Sequence, residues 1–202
     1  MKSIKYELLV SVTAMITAVA AVVISVVQTS VMHDEAEMQR DHQRLSVAPS
    51  VWIEHNVSTS IKKEIGQLNI EIANRGLGPA MIESFSILYK GQIIKNWPEW
   101  ISSFAPDLYE QGFSDGSIMR ESISTLPTKY VLQNGVEHEL FAIEAPLALI
   151  EQILQAKDDT DFTICSCSLY GQCWITNGLS KAPEITTQCV HNASEQFAGD
   201  IK

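Results

Sequence analysis

The chain has 202 residues, with 24 Asp and Glu against 14 Lys and Arg, and a formal net charge of −10. A chain this acidic lacks the basic patch through which proteins bind nucleic acid, so no nucleic-acid partner is expected. Beyond an apolar N-terminal segment and a polar neck, roughly 155 residues remain, which is enough for one compact domain with its own hydrophobic core.

A short basic segment, residues 1–7, precedes an apolar run over residues 8–32 that contains no charged side chain. A helix of that length reaches about 37 Å, which exceeds the ~30 Å hydrocarbon core of a bilayer. Residues 18–20, Ala-Val-Ala, fit the cleavage pattern of a signal peptide, but the apolar run continues well beyond them. We therefore predict that residues 8–32 form an uncleaved single-pass transmembrane helix, a signal anchor, in the lipid bilayer of the cell (inner) membrane.

The basic residues around this helix are nearly balanced, with Lys2 and Lys5 before it and Arg40 and Arg44 after it. The positive-inside rule counts Lys and Arg close to the helix ends and largely ignores acids. Because the two lysines and the terminal amine lie closest, the rule favours an N-terminus in the cytoplasm and an extracytoplasmic domain.

Small or polar residues recur along one face of the helix at heptad-like spacing. Such a face lets two helices approach closely, and a glutamine can donate a hydrogen bond across the contact. The sequence therefore allows a homodimer through the anchor, although Ala and Ser are also frequent in helices that do not associate. The residues of this face are Ser11, Ala14, Ala18, Ala21, Ser25 and Gln28.

Residues 33–48 are rich in charged helix formers and predict a polar helical neck that Pro49 ends. The period of the apolar pattern then changes to two, which is typical of strands. We predict a β domain over residues 49–191 and a tail over 192–202. The strands expected from alternation are 51–55, 68–72 and 80–89, with a polar connection at 57–64 and a hairpin turn at Lys90-Gly91 into 92–95.

The block LNIEIANRGLGPAMIESFSILYKGQII, residues 68–94, resembles the core of bacterial Ig-like adhesion-type domains. Its Asn-Arg-Gly-Leu-Gly-Pro-Ala segment is also similar to a loop of single-pass bacterial membrane proteins of unassigned function. The resemblance implies an antiparallel Ig-like β-sandwich that is a structural or interaction module with no active site. Together with the helix predicted after Pro146, the expected fold class is mainly β with one inserted helix.

An aromatic-rich stretch follows, and it leaves two interpretations open. Its rings either cap the core or form a partner-binding surface, where Trp and Tyr are the expected anchors. The rings in question belong to Trp97, Trp100, Phe104 and Tyr109. The sequence from 105 to 117 contains Pro, Gly and Ser and predicts an irregular loop.

Further along, residues 128–132 and 136–144 flank Asn134-Gly135 and predict a hairpin, and Pro146 begins an amphipathic helix.

No catalytic, metal or cofactor site is predicted. Residues 112–116 spell G-x-S-x-G, but neither an apolar strand nor a helix flanks them as a nucleophile elbow requires. Asp158, Asp159 and Asp161 lack the repeat and the glycine of a calcium loop.

The four cysteines fall close together, at Cys165, Cys167, Cys173 and Cys189. Cys165 and Cys167 are two apart on a predicted strand and share a face, so a bond between them is geometrically poor. Outside the cytoplasm, disulfides are allowed, and Cys189 is expected to pair with one of the other three. Buried free thiols remain an alternative, and the spacing departs from that of zinc knuckles.

The sequence thus predicts a membrane-anchored protein whose acidic β domain is an interaction or accessory module for an unknown protein partner. A membrane-tethered enzyme or metal-binding module with a site invisible in the sequence is the alternative.

Overall fold

The structure is a computed structural model, and it describes residues 2–60, 62, 64–118, 120–127, 129–189 and 197, with only the backbone described at 2–9, 41, 44 and 45. The chain divides into two compact units, Met1–Leu45 and Ser46–Lys202. Each unit is described by itself below.

The first unit is helical. Helix α1 runs without interruption from Lys2 to Ser46, so the predicted transmembrane segment and most of the polar neck form one helix. Within it, Val10–Arg40 is long and apolar enough to cross a membrane, with a mean hydropathy of 2.5 and none of the apolar window buried. Hydroxyl groups in the apolar part donate to carbonyls of their own helix, as Ser25 does to Ala21 at 2.9 Å. Such bonds satisfy polar groups in a medium without water.

The second unit contains two antiparallel sheets. The four-stranded sheet has the order β1-β2-β7-β5, with β1 Val51–Ser60, β2 Ile65–Asn74, β7 Glu137–Pro146 and β5 Arg120–Ile123. The six-stranded sheet contains β3 Ala80–Tyr89, β4 Gln92–Ile94, β6 Tyr130–Leu132, β8 Thr160–Cys167, β9 Cys173–Asn177 and β10 Glu184–Thr186. Its strand order is β10-β9-β8-β3-β4, and β6 also pairs with β3.

Both sheets bury their apolar faces in one shared core. Alternation along β1 and β2 turns Val51, Ile53, Ile70 and Ile72 inward, as period-two patterning requires. The sheets are also bonded to each other, because the Thr176 hydroxyl donates to the Val51 carbonyl at 2.7 Å. The described residues of this unit also contain three α-helices, where the sequence predicted one: α2 Trp97–Ser102, α3 Pro106–Ser114 and α4 Leu147–Ala156.

Several predicted elements are confirmed, among them the strand at 80–89, the hairpin turn after it and the helix that follows Pro146. Lys90 and Gly91 both take positive φ, 49° and 78°, as the two central residues of a type I′ hairpin turn require. In α4 the buried residues Leu149, Ile150 and Ile153 form the expected apolar stripe.

Three predictions about the elements are wrong. Strand β1 continues to Ser60 instead of ending at 55, because its polar second half pairs fully with β2. The segment predicted as an irregular loop contains α3, which is held by buried Tyr109 donating to Glu121 at 2.7 Å. The strands on either side of Asn134-Gly135 do not form a hairpin, since β6 pairs with β3 and β7 pairs with β2 and β5.

Part of the predicted tail belongs to the core. Along one edge, β3 pairs with β6 at residues 80–82 and with β4 at 87–89, which leaves a gap between them. Phe197 fills this gap: its amide donates to the Phe85 carbonyl at 2.9 Å, and its ring packs edge-on against Phe85 and Trp97. Its exposure is 6%, so residue 197 is a core residue. The rest of the predicted tail lies outside the described residues.

Asn74, at the end of β2, holds the start of the domain in place. Its side chain is fully buried, and its Oδ1 accepts from the amides of Ser50 and Gly76 at 3.1 and 3.0 Å. Its Nδ2 donates to the carbonyls of Gly78 and Leu132 at 2.8 and 3.1 Å. One carboxamide therefore ties together the entry segment, the turn after β2 and the end of β6.

The turn itself presses against the entry segment, residues 47–50. The amide of Leu77 donates to the carbonyl of Ala48 at 2.9 Å. A Cβ on Gly78 would overlap the carbonyl of Val47, so only glycine allows this approach.

We predict that Asn74→Ala lowers the free energy of unfolding by about 3 kcal/mol or more, because a buried group that loses its hydrogen-bond partner costs about 1–3 kcal/mol. Thermal unfolding of the detergent-solubilised full chain, followed by circular dichroism, measures the change. Asn134→Ala is the matched control, since Asn134 lies in an exposed turn and its replacement is expected to change stability by less than about 0.5 kcal/mol. Equal effects of the two substitutions would contradict the role assigned to Asn74.

Candidate functional site

The outward side of the four-stranded sheet is lined by polar and charged residues, and we call it the polar face. The register sets Asn56 beside Asn69 and Ala142, and in the next row it sets Ser58 beside Gln67, Glu144 and Arg120. Because side chains on neighbouring strands at one level share a face, these residues form two adjacent rows. Ser122 pairs with Ala142 and completes the first row. The polar face also includes residues from the adjoining rows: Trp52, Glu54, Glu71, Glu137 and Glu139.

A cavity of about 260 Å³ opens on this face. Ala142 is short and lies between longer polar neighbours, which leaves the hollow. The groups around it can both donate and accept hydrogen bonds: carboxamides, carboxylates and one guanidinium. The side chains that line it include Asn56, Gln67, Asn69, Arg120, Glu139 and Glu144.

Hydrogen bonds hold the wall of this cavity. Gln67 Nε2 donates to Glu144 Oε2 at 2.8 Å, which fixes the two side chains across β2 and β7. Oδ1 of Asn69 is buried and has no hydrogen-bond partner among the described residues. A buried acceptor without a partner is uncommon in folded proteins. The arrangement therefore suits a polar ligand or the polar groups of an extended polypeptide.

An acidic cluster adjoins the cavity, with carboxylate oxygens of Glu54, Glu71 and Glu137 within 4.8 Å of one another. Arg75 already bridges two of them, at 2.7 Å from Glu54 and 2.8 Å from Glu137. A metal ion would have to displace this guanidinium. We therefore interpret the cluster as an ion-pair network that closes the end of the polar face.

Glu71 is the buried member of the cluster, with an exposure of 9%. Its oxygens accept from Asn56 Nδ2 at 2.9 Å and from Asn69 Nδ2 at 3.2 Å. Burial raises the pKa of Glu71 above its usual value, and repulsion from Glu137 and Glu54 adds to this. The hydrogen bond from Asn56 acts in the opposite direction and does not offset it.

A second polar cluster joins the two sheets. Ser124 Oγ lies 3.0 Å from His138 Nε2, and Tyr130 OH lies 3.4 Å from His138 Nδ1. Burial lowers the pKa of His138, so the neutral ring can accept from the serine. A serine and histidine at this distance resemble a nucleophile and its base, but the third group is a phenol and not a carboxylate. We therefore interpret the cluster as a polar contact that links the two sheets and not as a catalytic triad.

All four cysteines are in disulfides: Cys165 with Cys189, and Cys167 with Cys173. Cys165 and Cys167 share the outward face of β8, and Cys173 lies directly across from Cys167 in β9. Because every sulfur is oxidised, none is available as a thiolate ligand for zinc.

The aromatic residues proposed as a partner surface belong to the core instead. Trp97 and Trp100 are fully buried, and Tyr109 is 7% exposed. Phe104 is half-buried, packed edge-on against Trp100. Asn96 caps α2 by accepting from the Glu99 amide at 2.9 Å. This helix turns both indoles inward, so the partner-surface interpretation is wrong for these rings.

The six residues of the predicted association face lie on α1, and their side chains are exposed in the single chain: Ser11, Ala14, Ala18, Ala21, Ser25 and Gln28. Association through this face stays a prediction.

Sequence reasoning missed the polar face, because outward polar residues on strands resemble an ordinary solvated surface. The available signal was the set of polar residues Asn56, Asn69 and Glu71. It becomes visible as one surface near the small Ala142 only when the strand register is known.

No protein-family model, curated protein or solved structure matches this chain.

We predict that Glu71→Gln stabilises the domain at neutral pH. A carboxyl whose folded pKa is raised stabilises the fold only while it is protonated, and this contribution is lost as the pH rises through the folded pKa. The glutamine keeps the bond from Asn56, and a flipped Asn69 can accept from its amide. Urea unfolding at pH 4, 5, 6 and 7 should therefore show a stability advantage of the variant that is smallest at pH 4 and grows with pH.

Glu137→Gln is the matched control, because Glu137 is half exposed and is paired with Arg75. It is expected to give no such gain. A Glu71→Gln advantage that is independent of pH would contradict the burial argument.

Proposed function

We propose that this protein is a single-pass membrane protein whose β domain is an interaction module that binds a protein partner through the polar face. The observation that carries the proposal is the cavity between Asn56, Gln67 and Arg120, which combines hydrogen-bond donors and acceptors on one sheet face. Asn69 also lines the cavity, and its buried Oδ1 has no hydrogen-bond partner among the described residues. The acidic composition fits a partner that presents donors.

The anchor in this proposal is residues 8–32, in the cell membrane, with the domain outside the cytoplasm. The support is the apolar stretch of α1 and the lysines that precede it. Two disulfides in the domain are consistent with an oxidising compartment. A homodimer through the small-residue face of α1 is part of the same proposal.

The Ig-like architecture implied by residues 68–94 also belongs to the proposal. Its support is two antiparallel sheets that share one core, with strand, turn and hairpin in the expected order. The polar face is the surface we assign.

The membrane orientation can be tested with reporter fusions to residue 202 in a bacterial expression host. We expect a periplasmic phosphatase fusion to be active and a fusion to a reporter that works only in the cytoplasm to be silent. The reverse pattern would place the domain in the cytoplasm and contradict the proposal.

The binding surface can be tested with a photo-crosslinking amino acid placed at Gln67 of the full chain in cells. We expect a discrete adduct at Gln67 and none at Gln92, which is also an exposed strand glutamine but lies on the other sheet. Arg120→Glu should reduce the yield at Gln67, because it removes the guanidinium donors of the cavity lining. Equal adducts at both positions, or a yield unaffected by Arg120→Glu, would remove the polar face as the binding surface.

A further inference from the structure

The four sulfur atoms lie close together on the outward face of the six-stranded sheet, connected by two bonds and one contact into a bent series that we call the row. Two disulfides make up its ends, Cys165–Cys189 and Cys167–Cys173. The inner sulfurs of the two bonds, Sγ of Cys189 and Sγ of Cys167, lie only 3.6 Å apart. The order along the row is therefore Cys165, Cys189, Cys167, Cys173.

This order has a chemical consequence, because disulfides exchange by attack of a thiolate on a neighbouring sulfur. We propose that the row is a thiol–disulfide exchange site that reacts with an external dithiol and passes its electron pair from one disulfide to the other. The exchanging atoms are the two sulfurs in contact, those of Cys167 and Cys189.

Reduction at either end leads to the same product. If the dithiol reduces Cys167–Cys173, it becomes a disulfide, and the Cys167 thiolate attacks Cys189. A Cys167–Cys189 bond forms, the Cys165–Cys189 bond breaks, and the electron pair and a proton go to Cys165. If the dithiol reduces Cys165–Cys189 instead, the Cys189 thiolate attacks Cys167 and Cys173 leaves. Both routes give one central disulfide and thiols at Cys165 and Cys173.

Burial indicates where the external dithiol enters. Cys165, Cys167 and Cys173 are buried, with exposures of 3%, 6% and 7%, whereas Cys189 is half-buried. Cys189 is therefore the sulfur that an incoming thiolate reaches first. On that route the thiol released last is Cys173, at the other end of the row, so the reductant reacts at one sulfur and the final thiol is released at another.

The central disulfide also keeps the chain tied. Cys189 lies on the segment after β10, and both its original bond to Cys165 and the central bond to Cys167 tie that segment to β8. After the site has accepted one electron pair and exchange is complete, the segment is therefore still bonded to the sheet.

The test uses the purified full chain in detergent. The untreated protein is mapped first by mass spectrometry, then treated with one equivalent of dithiothreitol, quenched in acid with N-ethylmaleimide and mapped again. We expect Cys167–Cys189 as the commonest single disulfide, with maleimide on Cys165 and Cys173. Its rate of appearance should rise about tenfold per pH unit below pH ~8.5, because the thiolate is the attacking species.

Two outcomes would overturn the proposal. One is an untreated protein without the two disulfides of the structure. The other is half-reduced protein that holds only one of those original disulfides, with maleimide on both cysteines of the other.

A matched pair of variants separates exchange from simple reduction. Cys165→Ser leaves a thiol at Cys189, in contact with the remaining disulfide, and maleimide should distribute between Cys189 and Cys173. Cys189→Ser leaves a thiol at Cys165, the outer end of the row, and maleimide should label Cys165 alone. Labelling of Cys189 alone in Cys165→Ser would contradict the proposed contact.

Discussion

The domain depends on the buried carboxamide of Asn74, which uses both of its polar atoms twice. It bonds to the entry segment at Ser50, to the turn at Gly76 and Gly78, and to Leu132 in the other sheet. Three parts of the chain therefore meet at one side chain, whose own atoms are fully buried. The strand ends around it are fixed in register, and the faces of both sheets follow from that register.

The two outward faces that result have different chemistry. On the four-stranded sheet, carboxamides and carboxylates surround the short side chain of Ala142, and Arg75 compensates part of their negative charge. On the six-stranded sheet, the same alternation aligns Cys165 and Cys167 and places Cys173 across from the latter. We propose reversible polar contacts for the first face and covalent exchange for the second. They lie on opposite sides of the shared core.

Local patterns predicted local structure well. The alternation at 80–89, the turn at Lys90-Gly91 and the apolar stripe of α4 depend on neighbours in sequence, and the structure contains all three. Asn134-Gly135 misled because turn chemistry does not reveal which sheet each flanking strand joins. The polar face and the inward indoles depend on contacts between residues far apart in sequence, which a single sequence does not encode in any short pattern.

Phe197 has a consequence for how the protein is made. At a synthesis rate of about 5–20 residues per second, its codon is read on the order of ten seconds after that of Phe85. During this interval the edge of β3 between β6 and β4 has no backbone partner at Phe85, and the ring site beside Trp97 is empty. The nascent domain therefore carries an open sheet edge, the kind of surface on which chains aggregate. Its folding can finish only after the anchor has been translated and is available for membrane insertion.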